Sequence, residues 1–240
     1  MTVEVSSTGN VCIIPARGGS KRIPRKNIKE FCGKPIIAYS IEAALQSHLF
    51  EKVIVSTDDD EIAQIARYYG AEAPFIRPDA LADDFANTNE VIKHALQCLL
   101  AIGDKVSYAC CIYATTPFLK AEYLCKGYEQ LISQKCSYAF SVTSFPFPVQ
   151  RAIRITELGT VDAVWPENIF TRSQDLEEFY HDAGQFYWGT VDAFLEERVI
   201  FSRESVPVIL PRYLVQDIDT LEDWERASYM YQAMQLQNNQ

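Results

Sequence analysis

Short apolar runs alternate with longer amphipathic segments through residue 143, and this alternation constrains the fold of the chain more than any other feature. The runs predict β-strands over 11–14, 52–57, 73–76, 108–113 and 138–143. The amphipathic segments between them predict helices over 36–46, 59–69, 88–101 and 121–133, the third with Thr88 as its N-cap. Strands that alternate with helices of this length favour a mixed, mostly parallel α/β sheet with helices on both faces.

The alternation stops after Thr143. Residues 144–183, which we call the excursion, contain a Phe-Pro-Phe-Pro sequence and two short apolar runs on either side of Gly159. These runs predict a hairpin that leaves the main sheet. Strands over 185–190 and 206–210 and a helix over 220–234 then return to it, so we expect a single domain over 1–240 with one excursion.

The charge distribution restricts the ligands that the chain can bind. The net charge is −10, which argues against a nucleic-acid partner because such a partner requires an electropositive face. Seven basic residues nevertheless lie between Arg17 and Lys34, against the single acid Glu30. This concentration indicates a small anionic ligand at one loop.

The cysteines and the hydropathy pattern bear on the compartment. The chain has seven cysteines, an odd number, without C-x-x-C spacing, and most of them lie in apolar runs. Reduced core cysteines of this kind are typical of a cytoplasmic protein. Residues 1–10 do not resemble a signal peptide, and no apolar run is long enough to span a membrane. We therefore expect a cytoplasmic protein without a membrane partner.

The segment from Ala16 to Asn27, which we call the basic loop, follows the first predicted strand. Gly18 and Gly19 allow close approach of the backbone to a ligand, and Arg17 and Lys21 can neutralise phosphate oxygens. Ligands of open α/β sheets bind beyond the carboxyl ends of the strands, where this loop begins. The loop matches neither G-x-x-x-x-G-K-[ST] nor G-x-G-x-x-G. The alternative interpretation is a solvated basic loop whose glycines only form a turn.

The basic loop also resembles a known family. The first motif of the CMP-sugar synthetases is similar to I-P-A-R-G-G-S-K at 14–21 followed by Pro24, Lys26, Asn27 and Ile28. These cytidylyltransferases activate sialic acid and related 2-keto-3-deoxy sugar acids with CTP. The resemblance implies a Rossmann-like sheet of the nucleotide-diphospho-sugar transferase type. It implies that CTP is bound by residues of the loop, namely Ala16, Arg17, Gly18, Gly19, Ser20, Lys21, Lys26 and Asn27.

Two further segments resemble motifs of the same family. R-P-D-A-L-A at 77–82 is similar to its R-P-x-x-L-A motif, which implies cytosine recognition by Arg77 and the backbone near Ala86, with Thr88 near the ribose or base. Without the first motif, a surface ion pair of Arg77 with Asp79 or Asp83 would be the favoured interpretation. Tyr113-Ala114-Thr115-Thr116-Pro117 lies where the family has a Q-P-T-S-P-like turn, and Tyr113 and Ala114 depart from that pattern.

Asp217 and Asp219 form a D-x-D sequence after the last predicted strand. Alternating residues of an extended segment point the same way, so both carboxylates can bind one cation. Oxygen ligands of this kind suit Mg²⁺. The alternative is a helix start in which Asp219 or Thr220 is the N-cap, but the family's D-x-D motif favours the metal. Another acidic run, Asp58 to Glu61, follows a strand and opens a helix, so we interpret it as a helix start.

The second half of the excursion carries the hypothesis of a sugar site. Its polar and aromatic residues resemble the pseudaminic acid branch of the family, with R-S-Q-D-L at 172–176 and H-D-A-G-Q-F-Y-W at 181–188. The resemblance implies these sugar-binding residues: Arg172, Gln174, His181, Asp182, Gln185 and Tyr187. The same aromatics could instead pack at a subunit interface, because relatives place a dimerisation element here, and we expect a homodimer.

Together these features predict an enzyme that joins CTP to a nine-carbon 2-keto-3-deoxy sugar acid and releases pyrophosphate. The predicted catalytic residues are Arg17, Lys21, Asp217 and Asp219, with Mg²⁺ as cofactor. Pseudaminic acid is the expected substrate, and sialic, legionaminic and 3-deoxy-octulosonic acids are the alternatives. An alternative of another class is a non-catalytic nucleotide-binding regulatory domain.

Overall fold

A computed structural model describes residues 9–82 and 87–238. The strands are β1 (Asn10–Pro15), β2 (Glu30–Phe31), β3 (Lys34–Pro35), β4 (Lys52–Ser56), β5 (Tyr108–Ile112), β6 (Tyr138–Ser144), β7 (Ile153–Ile155), β8 (Val161–Ala163), β9 (Tyr180–Thr190) and β10 (Ser205–Ile209). The helices are α1 (Ile36–Gln46), α2 (Asp60–Tyr68), α3 (Thr88–Ala101), α4 (Ala121–Gln134), α5 (Val191–Leu195) and α6 (Leu221–Asn238).

Six strands form the main sheet in the order β10-β6-β9-β5-β1-β4. Neighbouring strands are parallel except at β9, which runs antiparallel to both β5 and β6. The predicted mixed, mostly parallel sheet is therefore confirmed. Because β9 is reversed, its beginning lies at the edge where β1, β4, β5 and β6 end.

Helices cover both faces of this sheet, as predicted. Alternate residues of β1 enter opposite cores: Cys12 and Ile14 pack with α1, α2 and α4, whereas Val11 and Ile13 pack with α3 and α5. A third apolar cluster lies beside the sheet, where Phe31 packs against Tyr39 of α1 and Trp224 of α6. Within 9–82 and 87–238, no helix is both long and apolar enough to cross a membrane.

The structure corrects two of the predicted elements. The segment 73–76 is not a strand: the chain there forms isolated bridges, from Glu72 to Ile54 of β4 and from Ile76 to Thr57 just after β4. Pro74 lies between those bridges and has no N–H to donate to a ladder. The N-cap of α3 is Asn87 rather than Thr88, because Asn87 and Glu90 form a reciprocal capping box.

Two features near the site escaped prediction. β2 and β3 form a hairpin whose two loop residues, Cys32 and Gly33, both have positive φ angles of 46° and 99°. β9 begins at Tyr180, earlier than predicted, because a bulge lets it continue pairing with β6. Gly184 in this bulge has a φ of 61°, and the extra residues conceal the alternation by which a strand is detected. The predicted hairpin of the excursion is present as β7 and β8.

Candidate active site

A cavity of about 260 Å³ opens at the edge of the sheet where β1, β4 and β5 end. The basic loop forms one wall. The others are formed by the residues after β5, the segment before α6, and Arg77, Leu81, Thr88 and Val91. We call it the first cavity. Its polar side chains are Arg17, Ser20, Lys21, Arg22, Lys26, Asn27, Arg77, Thr88, Tyr113, Thr115 and Asp219. The structure therefore brings most of the predicted nucleotide-binding residues into one place, although they come from four separate segments of the chain.

Hydrogen bonds hold the basic loop against the end of β4. The side-chain amide of Asn27 donates to the carbonyl of Arg17 at 3.3 Å, and the N–H of Gly18 donates to Asp58 at 3.3 Å. Asn27 is buried. Its amide thus joins the two ends of the basic loop within the lining of the first cavity.

Gly18 lies where a larger residue cannot fit. A Cβ atom at this position would lie 2.6 Å from Asp59 Oδ2 and 3.1 Å from Arg25 Nη1. Arg25, with a left-handed φ of 55°, forms an ion pair with Asp59 and a second one with Glu61. The basic loop is thus clamped to the start of α2, and Gly18 is the residue that permits this approach.

The helix-start interpretation of 58–61 is confirmed. The Asp59 carboxylate accepts a hydrogen bond from the N–H of Ile62 at 3.0 Å and is the N-cap of α2. Hydrogen bonding to Arg25 and to backbone N–H groups holds the pKa of Asp59 below its ordinary value, despite partial desolvation. Asp58 instead supports the loop through Gly18.

Arg77 is buried at the floor of the first cavity. Its guanidinium donates to the carbonyl of Ala16 at 2.8 Å and lies 3.5 Å from Asp58, so the alternative of a surface pair with Asp79 is wrong. Burial lowers the pKa of Arg77 from its ordinary value, and the charge of Asp58 opposes this shift. Its Nε has no hydrogen-bond partner among the described residues.

A buried donor of Arg77 without such a partner, in the wall of the cavity, is suited to an acceptor on a ligand. Ala86 and Asp83 lie outside the described residues.

The D-x-D segment reaches the first cavity through Asp219. Lys26 Nζ lies 3.3 Å from one oxygen of this carboxylate, and Arg22 Nη1 lies 2.9 Å from the other. Thr220 and Asp223 exchange hydrogen bonds in a capping box at the start of α6. The cap is therefore Thr220, and Asp219 is not required for it.

The carboxylates of Asp217 and Asp219 are chemically suited to bind a divalent cation. Asp217 has a raised pKa because it is partly desolvated and because Asp219 is nearby, so a cation between the two carboxylates would be favourable. Among 9–82 and 87–238, no cluster of three or more His, Cys, Asp or Glu side chains could hold a metal ion. Two carboxylates suit Mg²⁺ when phosphate oxygens and water complete its coordination.

A second cavity, of about 450 Å³, adjoins the first and shares Thr88 and Tyr113 with it. Asp182 and Tyr187 line its polar side. Its apolar lining is formed by Cys111, Phe194, Val199, Ile200 and Phe201. A site with two adjoining compartments can hold two substrates in contact at the shared wall.

The predicted sugar-binding residues are not gathered in one place. Of the six, Asp182 and Tyr187 line the second cavity. Gln185 is buried and donates to the carbonyl of Leu214. The ring of His181 packs against the ring of Phe145, with centroids 4.9 Å apart.

The remaining two residues of that set, Arg172 and Gln174, are placed differently again. Arg172 pairs with Asp175 on an exposed turn of the excursion, and Gln174 lies on the same turn. Sequence reasoning also missed Arg22 as a site residue, although the density of basic residues in the loop was a signal for it.

The sequence of the chain is similar to those of known cytidylyltransferases. The chain is 48% identical over 224 residues to a pseudaminic acid cytidylyltransferase of Campylobacter jejuni, covering 93% of this chain and 97% of that protein. It is 34% identical to an N-acylneuraminate cytidylyltransferase of Escherichia coli, covering 90% of this chain and 51% of that protein.

A solved structure has the same fold. It is a CMP:2-keto-3-deoxy-manno-octonic acid synthetase complexed with CTP, and it superposes with a TM-score of 0.68 at 16% identity, covering 95% of this chain and all of that one. The sequence pattern of the cytidylyltransferases matches residues 11–236. Because that match spans nearly the whole chain and includes every wall of the first cavity, the chain belongs to the cytidylyltransferase family.

Proposed function

We propose that this enzyme transfers CMP from CTP to pseudaminic acid and releases pyrophosphate. The observation that carries the proposal is the pair of adjoining cavities with a shared wall at Thr88 and Tyr113, one basic and one amphipathic. The choice of sugar is supported by the 48% identity to a pseudaminic acid cytidylyltransferase. Sialic, legionaminic and 3-deoxy-octulosonic acids are the alternatives within the same reaction.

CTP would occupy the first cavity. Arg17, Ser20 and Lys21 supply cationic and hydroxyl groups for the triphosphate. The Nε of Arg77 has no partner among the residues that the structure describes, and it suits a carbonyl acceptor on the base, which cytosine has. We retain Lys26, Asn27 and Ala16 as residues that shape this site, and Thr88 as a contact near the nucleoside.

Asp217 and Asp219 would hold Mg²⁺ together with phosphate oxygens. Such an ion would offset the negative charge of the triphosphate and polarise the α-phosphate. Without it, Arg22 and Lys26 already neutralise Asp219, which explains how this carboxylate can lie beside a site for a polyanion.

The sugar acid would occupy the second cavity. Asp182 and Tyr187 offer hydrogen-bonding groups for its polar substituents, and Phe194, Ile200 and Phe201 offer an apolar surface for its methyl groups. This cavity lies beside Tyr113, so an acceptor substrate in it would lie next to CTP in the first cavity.

The reaction follows from this placement. The oxygen of the anomeric hydroxyl forms a bond to the α-phosphorus of CTP, and the bond from that phosphorus to the bridging oxygen of the β-phosphate breaks. Pyrophosphate leaves with the electron pair, and the hydroxyl proton is released. Arg17 and Lys21 would stabilise the charge that develops on the leaving pyrophosphate.

We also propose that the enzyme is a cytoplasmic homodimer. All seven cysteines are free, as expected in a reducing compartment. The excursion exposes large apolar side chains, among them Phe147, Leu158 and Phe170, and a second copy of the chain would cover them.

The test is a pyrophosphate-release assay with CTP, Mg²⁺ and each of the four sugar acids. We expect release with pseudaminic acid at a kcat/KM at least tenfold above that for the other three. Release with another acid as the best substrate would replace pseudaminic acid by that sugar. Binding of CTP without release in any mixture would instead support the non-catalytic nucleotide-binding domain.

A further inference from the structure

An ion pair crosses the first cavity between Arg22 of the basic loop and Asp219 before α6. Arg22 Nη1 lies 2.9 Å from Asp219 Oδ2, and Lys26 Nζ lies 3.3 Å from Asp219 Oδ1. All three residues line the first cavity. A divalent cation that binds Asp219 therefore competes with two cations of the basic loop for the same carboxylate.

The two cations differ in how firmly they are held. Lys26 Nζ also donates to the carbonyl of Ile218 at 2.8 Å, and the Lys26 side chain is 21% exposed. The Arg22 side chain is 66% exposed and pairs with Asp219 through Nη1. Because a guanidinium has five N–H donors, it can also serve a second anion. Arg22 is thus the cation whose side chain can leave Asp219 with little loss of packing.

The main chain on both sides of this ion pair is fixed. Ile23 follows Arg22 and Ile218 precedes Asp219, and both isoleucines are 1% exposed and lie in the third apolar cluster. The N–H of Asp219 donates to the carboxylate of Asp223 at 3.2 Å. Release of Arg22 from Asp219 therefore requires only rotation of the arginine side chain, while the two backbone segments stay packed.

The charges around this ion pair couple the cation to the nucleotide. Asp217 interacts electrostatically with both Asp219 and Lys26, so that two carboxylates and two basic side chains share one region. A divalent cation that binds alone meets the two positive side chains. A triphosphate that binds alone must draw Arg22 away from a carboxylate that stays beside it. Each ligand therefore favours the binding of the other, and by the same factor.

We propose that Arg22 exchanges between two anions: it pairs with Asp219 in the free enzyme and contacts a phosphate of CTP once Mg²⁺ takes its place at Asp219. The inference rests on the proposed function, because it requires CTP in the first cavity. Arg22 lines that cavity together with Arg17, Ser20 and Lys21, the residues proposed for the triphosphate. The exchange makes full contact with the phosphates depend on the divalent cation.

Two binding measurements, both without sugar acid, test the exchange. Mn²⁺ binding is followed by electron paramagnetic resonance without nucleotide, and CTP binding by calorimetry in EDTA. Arg22→Gln should bind Mn²⁺ about threefold more tightly, the scale of one partly exposed ion pair. It should bind metal-free CTP about tenfold more weakly, the scale of one hydrogen bond to a charged group.

Asp219→Asn should shift both affinities in the opposite direction. It should bind metal-free CTP about threefold more tightly, because Arg22 loses its ion pair and a negative charge leaves the cavity. Its affinity for Mn²⁺ should fall, because one anionic ligand is lost.

Two exposed residues outside the ion pair provide matched controls. Lys29→Gln removes one positive charge from the segment after the basic loop, where the ammonium of Lys29 lies 5.5 Å from the Trp224 ring. Glu222→Gln removes one negative charge from the first turn of α6. Both variants should leave the dissociation constants for Mn²⁺ and CTP unchanged. Far-UV circular dichroism checks that each variant is folded.

The outcomes separate this inference from the proposed function. Unchanged affinity of Arg22→Gln for either ligand would overturn the exchange, as would metal-free CTP binding by Asp219→Asn that is no tighter than in the unmodified enzyme. If the affinities shift as expected but the unmodified enzyme releases no pyrophosphate with any of the four acids, the proposed reaction is wrong and the exchange stands. An unmodified enzyme that does not bind CTP would overturn both.

Discussion

The guanidinium of Arg22 lies 2.9 Å from the carboxylate of Asp219, which joins the basic loop to the segment before α6 across 197 residues of sequence. Lys26 contacts the same carboxylate and also donates to the carbonyl of Ile218 at 2.8 Å. Two cations of the loop thus neutralise the carboxylate that we propose as a ligand of Mg²⁺. If Mg²⁺ binds with CTP as we propose, the ion would replace these cations at Asp219 and leave them available to the phosphates.

Asp219→Asn should lower kcat about 10²–10³-fold, the scale for loss of one preorganised charge contact. The variant should also require a higher Mg²⁺ concentration for half-maximal activity, because one anionic ligand is lost. Steady-state assays across a Mg²⁺ titration measure both effects. Glu222→Gln removes a neighbouring exposed carboxylate of α6 and should leave both quantities unchanged. An unchanged Mg²⁺ requirement in Asp219→Asn would exclude Asp219 as a ligand.

Lys21→Ala should lower turnover on the same scale of about 10²–10³-fold, because the ammonium stabilises charge on the leaving pyrophosphate. Lys29→Ala is the matched control: Lys29 lies on the same segment, but its ammonium is 5.5 Å from the Trp224 ring. We expect it to retain normal kcat. Equal kinetics for the two variants, with both folded by circular dichroism, would contradict the role of Lys21.

Gly18→Ala should destabilise the protein by about 1–3 kcal/mol, the cost of forcing an extra carbon into a filled space. The new Cβ would lie 2.6 Å from Asp59 Oδ2, and Asp59 cannot move freely because it caps α2 and pairs with Arg25. Gly19→Ala meets nothing within 4 Å and should leave the melting temperature unchanged. Thermal unfolding of the two variants compares them directly, and equal melting temperatures would mean that the loop is not clamped at Gly18.

Asp59→Asn should lower the free energy of unfolding at neutral pH, because it removes the ion pair with Arg25. The effect should be smaller at acidic pH. Because the folded pKa of Asp59 is lowered, its charge stabilises the fold above its unfolded pKa of about 4, and this contribution is lost as pH falls through the folded pKa. Asparagine is itself a good N-cap, so the change isolates the ion pair with Arg25. Denaturant unfolding should show a difference of about 1 kcal/mol at pH 7 that shrinks below about pH 4. A difference independent of pH would assign the effect to the cap.

The double variant Leu158→Ser, Phe170→Ser should convert the proposed homodimer into a monomer. These excursion side chains are 90% and 96% exposed in the single chain, and a partner surface would cover them. Sedimentation equilibrium measures the assembly. Tyr68→Ser, an equally exposed aromatic at 84% outside the excursion, should remain dimeric. A monomeric unmodified protein would exclude the proposed dimer.

Sequence alone predicted those parts whose signals lie within a few adjacent residues. The Gly-Gly turn and basic charges of the loop, the acidic start of α2 at Asp59 and the strand-helix alternation are all local, and the structure confirms the fold they imply. Errors arose where a distant or competing contact prevailed. Pro74 ended a strand that its neighbours favoured, and the Asn87–Glu90 capping box displaced Thr88 as the cap.

Tertiary structure decided which polar residues share a cavity. Gln185 and Tyr187 lie two residues apart on β9, yet the first is buried against Leu214 and the second lines the second cavity beside Asp182. The reversed direction of β9 and its bulge produce this separation, and both result from pairing with β5 and β6. Spacing along the chain determines which side chains share a face of one element. Only the packing of distant elements determines which faces meet, because those contacts join residues that no local pattern relates.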